Sequence, residues 1–394
     1  MGCSESGKDR PGTHTDDNGE VLQCATITAS NQGAPTDVDL TDVEVHDLGL
    51  ETSEVATELA VGDINGDGWT DTVVYVLVDV VMVYMGSEDG TPDEVVSLSQ
   101  EGLTPRGTAT ADVDGDGIDD VLIGNTPASI DGDLLTTVTV YFGGDDFPSE
   151  PAMLRNVTGY AASLTAGDFD GDGRIDIASE AAGTGFSVYF NEGDRTFSDA
   201  VNFGFSSSFR QIHAADFNQD GLTDIVGIGL TGAVSMALAE EDRDFADPTA
   251  FEASLLPPPQ AFIDVGDLDG NGGPDIATNV AGGEVWVLWN DGRAGFERGR
   301  YCTSLADAPD NLPYAVSMAD FDGDTTLDVA VVNGATQTLS VLGGTAGEQA
   351  LRMPQVIDGS RPGSDMLGTD INGDGRPDIV GLSDGGLSIR LNRD

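Results

Sequence analysis

Basic residues are scarce in this sequence. The 394 residues include 16 Lys and Arg against 70 Asp and Glu, for a formal net charge of −54, and Lys8 is the single lysine. Nucleic-acid-binding proteins neutralise phosphates with Lys and Arg, and polybasic segments hold proteins on anionic lipid surfaces. The charge therefore excludes both of these partner classes.

Cysteines and long apolar runs are also scarce. Cys3, Cys24 and Cys302 are too few and too widely spaced for a disulfide framework or a zinc site. Cys24 and Cys302 either pair in an oxidising compartment or remain buried free thiols. The most apolar run, 72–85, is interrupted by Asp79 and is shorter than the roughly 20 residues of a membrane span. We expect no transmembrane segment.

The N-terminus, Met1-Gly2-Cys3-Ser4, looks like the mature end of a bacterial lipoprotein with a start Met left on it, and this pattern predicts a lipid anchor at Cys3. The same residues fit an N-myristoylation pattern through Gly2 and Ser6, and coincidence is the third alternative. Residues 1–37 are polar and are predicted to be a tether outside the folded domain.

Strongly acidic chains are usually disordered, but 39% of these residues are hydrophobic and the apolar stretches recur regularly. The acids are 52 Asp and only 18 Glu, and there are 53 Gly. Glu suits helix interiors, whereas Asp suits turns and metal-binding loops. The composition predicts a protein poor in helix and rich in loops.

One nine-residue pattern, D-x-[DN]-x-[DN]-x-x-x-D, occurs seven times. We number these loops one to seven and their positions 1 to 9. The copies are separated by 49, 56, 48, 51, 53 and 50 residues, and they begin at Asp63, Asp112, Asp168, Asp216, Asp267, Asp320 and Asp370. A repeat with a period near 50 indicates a solenoid or a propeller.

The flanks of the pattern repeat as well. A small residue precedes most first aspartates, a β-rich run follows each last one, and another apolar strand comes about a dozen residues later. Phe147, Phe197, Phe245 and Phe296 follow a polar turn and are predicted to open a further strand. The repeats therefore predict an all-β fold, a seven-bladed β-propeller of four-stranded antiparallel blades at 38–394.

Both ends of the repeat region indicate that the ring closes on itself. The seventh unit stops after its third strand, so its outer strand is missing. We predict that residues 40–48 supply that strand, because closure by both termini leaves no long free sheet edge.

The chemistry of the loops fits calcium. Oxygens at positions 1, 3 and 5, a backbone carbonyl at position 7 and a carboxylate at position 9 give the six to eight hard ligands that Ca²⁺ takes. The loops hold no His or Cys, which argues against zinc and copper. Position 12 carries no acid in any loop, which excludes an EF-hand. We expect up to seven structural Ca²⁺, one per blade.

The predicted metal ligands fill five positions in each loop. In chain order they are Asp63, Asn65, Asp67, Trp69 and Asp71; Asp112, Asp114, Asp116, Ile118 and Asp120; Asp168, Asp170, Asp172, Arg174 and Asp176; Asp216, Asn218, Asp220, Leu222 and Asp224; Asp267, Asp269, Asn271, Gly273 and Asp275; Asp320, Asp322, Asp324, Thr326 and Asp328; and Asp370, Asn372, Asp374, Arg376 and Asp378. We expect loop six to bind most weakly, because Thr325 replaces a turn glycine.

The seven loops, the strand after each and turns such as Tyr189–Gly193 resemble FG-GAP/VCBS repeats, the propeller repeats of integrin α-subunit heads and many bacterial surface proteins. The resemblance covers about residues 38–394. It implies a calcium-binding propeller with side-chain ligands at positions 1, 3, 5 and 9. The family includes adhesins, lectin-like propellers, scaffolds and a few polysaccharide-acting enzymes.

Little in the sequence predicts catalysis. The sequence has three His, and only His213, with Asp264 in the equivalent place of the next repeat, could line a central channel as a base and its partner. Trp286 and Trp289 are predicted to be core, and Trp69 could stack on a sugar. We do not expect an enzyme.

The sequence predicts a monomeric, calcium-stabilised binding or adhesion propeller that is extracellular or attached to the cell surface. The alternatives are a propeller lectin and, less favoured, a polysaccharide lyase or hydrolase. We expect a protein or glycan ligand on the face opposite the calcium loops. The insertion 125–136 and Pro257-Pro258-Pro259 lie in the connections on that face.

Overall fold

The computed structural model is built of strands, and the described residues contain no helix. It describes residues 14–15, 21–22, 38–40, 43–47, 56–76, 80–99, 103–126, 128–130, 133–156, 161–181, 185–204, 209–229, 232–251, 262–280, 283–303, 313–334, 336–358, 365–383 and 386–393. Within these ranges no helix is long and apolar enough to cross a membrane.

Seven sheets form the blades of a β-propeller, as the repeats predict. Their strands are given from the channel outwards, blade by blade: β4 (Ala56–Gly62), β5 (Asp71–Val76), β6 (Val80–Met85) and β7 (Glu94–Ser99); β8 (Pro105–Ala111), β9 (Asp120–Asn125), β11 (Asp133–Tyr141) and β12 (Ala152–Asn156); β13 (Leu164–Gly167), β14 (Asp176–Ala181), β15 (Gly185–Tyr189) and β18 (Val201–Gly204); β19 (Phe209–Ala215), β20 (Asp224–Gly229), β21 (Val234–Ala237) and β24 (Thr249–Phe251); β25 (Ile263–Gly266), β26 (Asp275–Val280), β27 (Glu284–Asn290) and β28 (Phe296–Cys302); β29 (Pro313–Ala319), β30 (Asp328–Asn333), β31 (Thr338–Leu342) and β32 (Gln355–Asp358); β33 (Met366–Thr369), β34 (Asp378–Ser383), β35 (Gly386–Arg390) and β3 (Val43–Asp47).

The seventh blade is completed by the N-terminal strand, as predicted. Strand β3 pairs antiparallel with β35, with Val43 opposite Arg390 and Asp47 opposite Gly386. The three residues 38–40 extend this closure towards blade six, since the Gln355 side chain bonds both the N–H and the carbonyl of Val38. The segment predicted as a tether contains one small hairpin, β1 (His14–Thr15) paired with β2 (Val21–Leu22).

Two predictions about strands need correction. The insertion in blade two forms a fifth strand, β10 (Ala128–Ile130), which pairs with the extended start of β11. Phe296 opens an outer strand as expected, but Phe197 and Phe245 do not. They lie in small hairpins that precede the outer strands: β16 (Asn191–Gly193) with β17 (Thr196–Phe197), and β22 (Ala239–Glu240) with β23 (Asp244–Phe245). Phe147 ends a turn, since its N–H donates to the Gly144 carbonyl at 3.0 Å.

The core is divided among the blade boundaries. Each of seven apolar clusters joins residues of two adjacent blades, including the boundary between blades seven and one. The second and third strands supply most of these side chains. Because these strands are buried on both faces, their sequences are continuous apolar runs. Trp286 and Trp289 are 4% and 2% exposed, so the prediction that they are core is confirmed.

Side chains in the innermost strands, or one residue before them, also tie one blade to the next. At six boundaries, a side-chain oxygen accepts a backbone N–H from the inner strand of the following blade. The pairs are Glu58 with Thr108 (3.2 Å), Ser163 with Ile212 (3.1 Å), Gln211 with Ile263 (3.0 Å), Asp264 with Met318 (2.7 Å), Ser317 with Gly368 (2.9 Å) and Asp365 with Leu59 (2.9 Å).

Candidate metal centres

Each nine-residue loop connects the first strand of a blade to the second. The tight turn needs left-handed backbone, which glycine adopts without strain. In loop two, Gly115 and Gly117 have φ of 78° and 90°. Loop six has Thr325 at φ 74°, where a β-branched side chain is strained, so the premise that this loop is strained is confirmed.

The ninth-position aspartate is fully buried in every loop: Asp71, Asp120, Asp176, Asp224, Asp275, Asp328 and Asp378 are each 0% exposed. One oxygen accepts the N–H of position 2, as in Asp176 with Phe169 at 3.0 Å. The other accepts an N–H just after the third strand, as in Asp176 with Asn191 at 2.7 Å. This residue therefore fixes the loop to its own blade.

Burial raises the pKa of these ninth-position carboxyls, and the two backbone hydrogen bonds oppose that shift only in part. The pKa rises to about 6 in Asp71 and Asp378, and to about 7 in Asp120, Asp176, Asp224, Asp275 and Asp328. Neighbouring loop aspartates contribute to the rise in each case. A bound cation would relieve that repulsion and favour the charged form.

Carboxylates from positions 1, 3 and 9 meet in four of the seven loops. In each group, one oxygen from every residue lies within 4.8 Å of the others; the groups are Asp112, Asp114 and Asp120; Asp168, Asp170 and Asp176; Asp267, Asp269 and Asp275; and Asp320, Asp322 and Asp328. Loops one, four and seven carry Asn at position 3, namely Asn65, Asn218 and Asn372.

The predicted ligand at position 5 is placed differently from those at positions 1, 3 and 9. The fifth-position oxygen accepts the backbone N–H of position 7, for example Asp116 from Ile118 at 3.0 Å. Position 5 does not join the three-acid groups found among the described residues. In four loops the structure thus brings the carboxylates of positions 1, 3 and 9 together, while position 5 accepts a hydrogen bond from the turn backbone.

The donor set fits a hard cation. Three carboxylate oxygens converge without any nitrogen or sulfur donor, which is the chemistry that Ca²⁺ prefers. In loop six, the Oδ1 atom of Asp320 is buried and has no hydrogen-bond partner. A buried oxygen without a partner carries a free-energy cost that a metal ion would remove.

Three arginines that the sequence did not predict reach into these loops. Arg195 of blade three pairs with Asp114 of loop two, and Arg243 of blade four pairs with Asp170 of loop three. Arg352 pairs with Asp322 of its own blade at 2.8 Å and also with Asp324. One repeated pattern in the sequence could have indicated these contacts: an Arg lies two residues before Phe197 and another lies two residues before Phe245.

Neighbouring loops also touch through their seventh residues. The Trp69 ring lies against Gly373 of loop seven, where a Cβ would overlap it. Ile118 covers Gly66 of loop one and Leu222 covers Gly171 of loop three in the same way. Trp69 is therefore half-buried at the boundary between blades seven and one, which leaves only part of its ring for a ligand.

The predicted channel pair is present on neighbouring inner strands. Asp264 accepts backbone N–H groups from Val265 at 2.8 Å and Met318 at 2.7 Å. Burial raises the pKa of Asp264, and burial lowers that of His213, with each partner opposing the other's shift. Asp264 therefore already serves as an inter-blade tie, while His213 Nε2 is buried without a hydrogen-bond partner.

A small cavity lies between blades four and five. It has a volume of about 170 Å³ and is lined by Met236, Leu238, Ala246, Asp247, Thr249, Phe251, Arg293 and Ala294. Ala294 donates its N–H to the carbonyl of Phe217 in loop four at 3.0 Å, so the cavity lies on the side of the ring that carries the loops.

Of the three cysteines, Cys302 is disulfide-bonded, so the alternative of a free thiol is wrong for this residue. Cys3 and Cys24 lie outside the described residues, as does Pro257-Pro258-Pro259.

The repeats match a known protein family. The FG-GAP-like repeat model matches five overlapping segments, 63–123, 112–179, 168–227, 216–278 and 267–331. The chain belongs to this family. No curated protein sequence matches this FG-GAP propeller.

Solved structures share its fold at low identity. An Agrocybe aegerita lectin, described as recognising non-reducing terminal N-acetylglucosamine, is 18% identical with a TM-score of 0.50, over 79% of this chain and 82% of the lectin. BBS1N, solved in complex with ARL6DN, is 11% identical with a TM-score of 0.60, over 91% and 98%. The RRP9 WD40 repeats are 11% identical with a TM-score of 0.57, over 91% and 100%. At these identities the likeness concerns the fold alone.

Proposed function

We propose that this FG-GAP propeller is a calcium-stabilised binding or adhesion module of the cell surface or extracellular space, without catalytic activity. The observation that carries the proposal is the meeting of carboxylates from positions 1, 3 and 9 in four loops. Calcium between them would neutralise repelling acids and hold the first and second strands together. The ring would then present a rigid face to a protein or glycan ligand.

The metal part of the proposal is tested by calcium stoichiometry. Equilibrium dialysis should find up to seven Ca²⁺ per chain, with dissociation constants of about 10⁻⁴–10⁻³ M, as in other extracellular modules. The same concentration of Mg²⁺ should displace little of it, because Mg²⁺ dehydrates reluctantly and favours fewer protein ligands. Binding that Mg²⁺ or Na⁺ displaces equally would contradict a calcium cage.

The location rests on two observations. Disulfides persist in oxidising compartments, and Cys302 is disulfide-bonded. Cys3 follows Gly2 in a pattern that suits a lipid anchor. Antibody labelling of intact host cells should detect the protein, and Cys3→Ser should release it into the medium with its fold unchanged. Labelling that requires permeabilised cells would contradict a surface location.

Glycan binding is the second candidate, and the cavity between blades four and five favours it. Phe251 offers an aromatic wall, while Asp247 and Arg293 make no ion pair in the described part of the chain. Hydroxyl groups both donate and accept, so a sugar could bond both side chains. This would place the ligand on the loop side of the ring instead of the opposite face.

Saturation-transfer NMR tests whether the cavity binds sugars. The ligands are N-acetylglucosamine and a panel of neutral monosaccharides. Arg293→Ala and Asp247→Ala should abolish the signal. Arg155→Ala should retain it, because Arg155 is an exposed arginine on the outer strand of blade two. Signals of equal strength in all three variants would exclude this cavity as the site.

A further inference from the structure

Two arginines cross a blade boundary to a metal loop of the preceding blade. The Nε atom of Arg195 donates to Asp114 Oδ2 at 2.6 Å, and its Nη2 lies 2.5 Å from the same oxygen. The Nε atom of Arg243 donates to Asp170 Oδ2 at 2.7 Å. Both acids occupy position 3, so each arginine shares its carboxylate with a three-acid group.

Each guanidinium is held by a second contact to the same preceding blade. Arg195 lies over the Phe142 ring, 4.5 Å from its centroid, and Arg243 lies over Phe190 at 4.7 Å. The side chains of Asp114 and Asp170 are 6% and 7% exposed, so these pairs are partly shielded from solvent. The repeated arrangement is a specific inter-blade contact and not a chance surface pair.

The next boundary lacks both halves of this contact. Loop four carries the uncharged Asn218 at position 3, and blade five carries Ala294 in the turn where the arginine stands in blades three and four. The backbone is equivalent, since φ is 59° at Arg195, 62° at Arg243 and 57° at Ala294. The acid and the arginine are present together or absent together in these three neighbouring pairs.

We infer that Arg195 and Arg243 are positioning residues of the calcium sites in blades two and three, supplied by the following blade. They replace part of the missing metal charge when calcium is low, and so hold the boundaries between blades two and three and between blades three and four. This inference rests on the proposed calcium function. The boundary between blades four and five, without an arginine, depends on calcium more strongly.

The sign of the effect follows from charge. A guanidinium beside the cage attracts the metal-free carboxylates and repels an incoming Ca²⁺. Removing it therefore destabilises the metal-free protein more than the loaded protein. The thermodynamic cycle then requires Ca²⁺ to bind the folded variant more tightly.

The test is hydrogen exchange with mass spectrometry on the full chain, in chelator and across a calcium titration. In chelator, Arg195→Ala should lower protection of peptides covering 112–125 and 191–197 about threefold or more. In saturating Ca²⁺ the loss of protection should be smaller. The calcium midpoint, the Ca²⁺ concentration at which peptide 112–125 reaches half of its full protection, should fall about twofold or more. Arg155→Ala is the matched control and should leave all three readouts unchanged.

Two results would overturn the inference. Equal loss of protection with and without calcium would make Arg195 an ordinary structural contact, and a raised calcium midpoint would make it necessary for the metal-bound state. Absence of calcium binding at every loop would instead defeat the proposed function, a result that the wild-type titration alone reveals.

A gain of function provides the second test. The double variant Asn218→Asp with Ala294→Arg installs the contact at the boundary between blades four and five. It should raise protection of peptides 216–229 and 290–296 in chelator above the wild-type level, while either single variant should not. A double variant no better protected than both single variants would contradict the inference, provided that its protection in Ca²⁺ shows a folded ring.

Discussion

At the scale of the residue, the ninth-position aspartate has two functions in the same side chain. The sequence predicted it as a metal ligand, because acids at fixed spacing in a turn suit calcium. It did not predict the hydrogen bonds of Asp176 to Phe169 and Asn191, since Asn191 is brought close only by antiparallel pairing of the second and third strands. This residue should therefore matter even without metal.

Asp176→Ala tests that structural role. The change leaves two buried backbone N–H groups without partners, each costing about 1–3 kcal/mol. In excess chelator, we expect the free energy of unfolding in urea to fall by about 2–4 kcal/mol. Asp172→Ala, in the fifth position of the same loop, should cost less than about 1 kcal/mol, because Asp172 is exposed. Equal losses in both variants would contradict the structural role.

A buried glutamate gives a prediction for pH. Glu180 on β14 is 4% exposed, and burial raises its pKa to about 7 from 4.5, while a hydrogen bond from the Ala162 backbone opposes the rise. The folded state therefore binds this proton more tightly than the unfolded state. Its contribution to stability is present below about pH 4.5 and is lost as the pH rises through about 7.

Glu180→Gln should remove this pH dependence. Relative to wild type, the variant should gain about 1–3 kcal/mol of unfolding free energy between pH 5 and pH 8, measured in urea with chelator present. Glu192→Gln changes an exposed glutamate of the same blade and should show no such gain. The same pH profile in wild type and Glu180→Gln would contradict the assignment.

At the scale of the element, the loops and the strands that flank them could be predicted from sequence. Strand β6, Val80–Met85, has the predicted bounds, and glycine occupies most of the loop positions where φ is positive. The hairpins holding Phe197 and Phe245 were missed, because two-residue strands carry no alternating pattern. The arginine contacts were missed because they join residues 81 and 73 positions apart.

Loop six offers a test of turn strain. Thr325→Gly should relieve the positive φ and raise the unfolding free energy by about 1 kcal/mol in chelator. Gly173→Thr makes the reverse change in loop three, where a Cβ would meet nothing within 4 Å, so only the backbone is strained. It should lower stability by a similar amount. If both variants have the same unfolding free energy as wild type in chelator, backbone strain does not distinguish these loops.

At the scale of the whole molecule, closure of the ring and charge act together. Strand β3 completes the seventh blade, and apolar clusters join every pair of neighbours, so opening one boundary exposes its core. Closure could be predicted because the last repeat lacked a strand. The hydrogen bonds between inner strands could not be predicted, since they depend on the spacing of blades around the axis.

The charge of the whole molecule also depends on the metal. Seven divalent ions would reduce the formal net charge from −54 to −40.

Calcium is expected to hold this acidic ring together, and thermal unfolding of the full chain tests this role most directly. A site at ten times its dissociation constant adds about 1.4 kcal/mol to stability. Tm should therefore rise by several degrees between excess chelator and 10 mM Ca²⁺, and much less in 10 mM Mg²⁺. The same Tm in chelator and in calcium would contradict the claim.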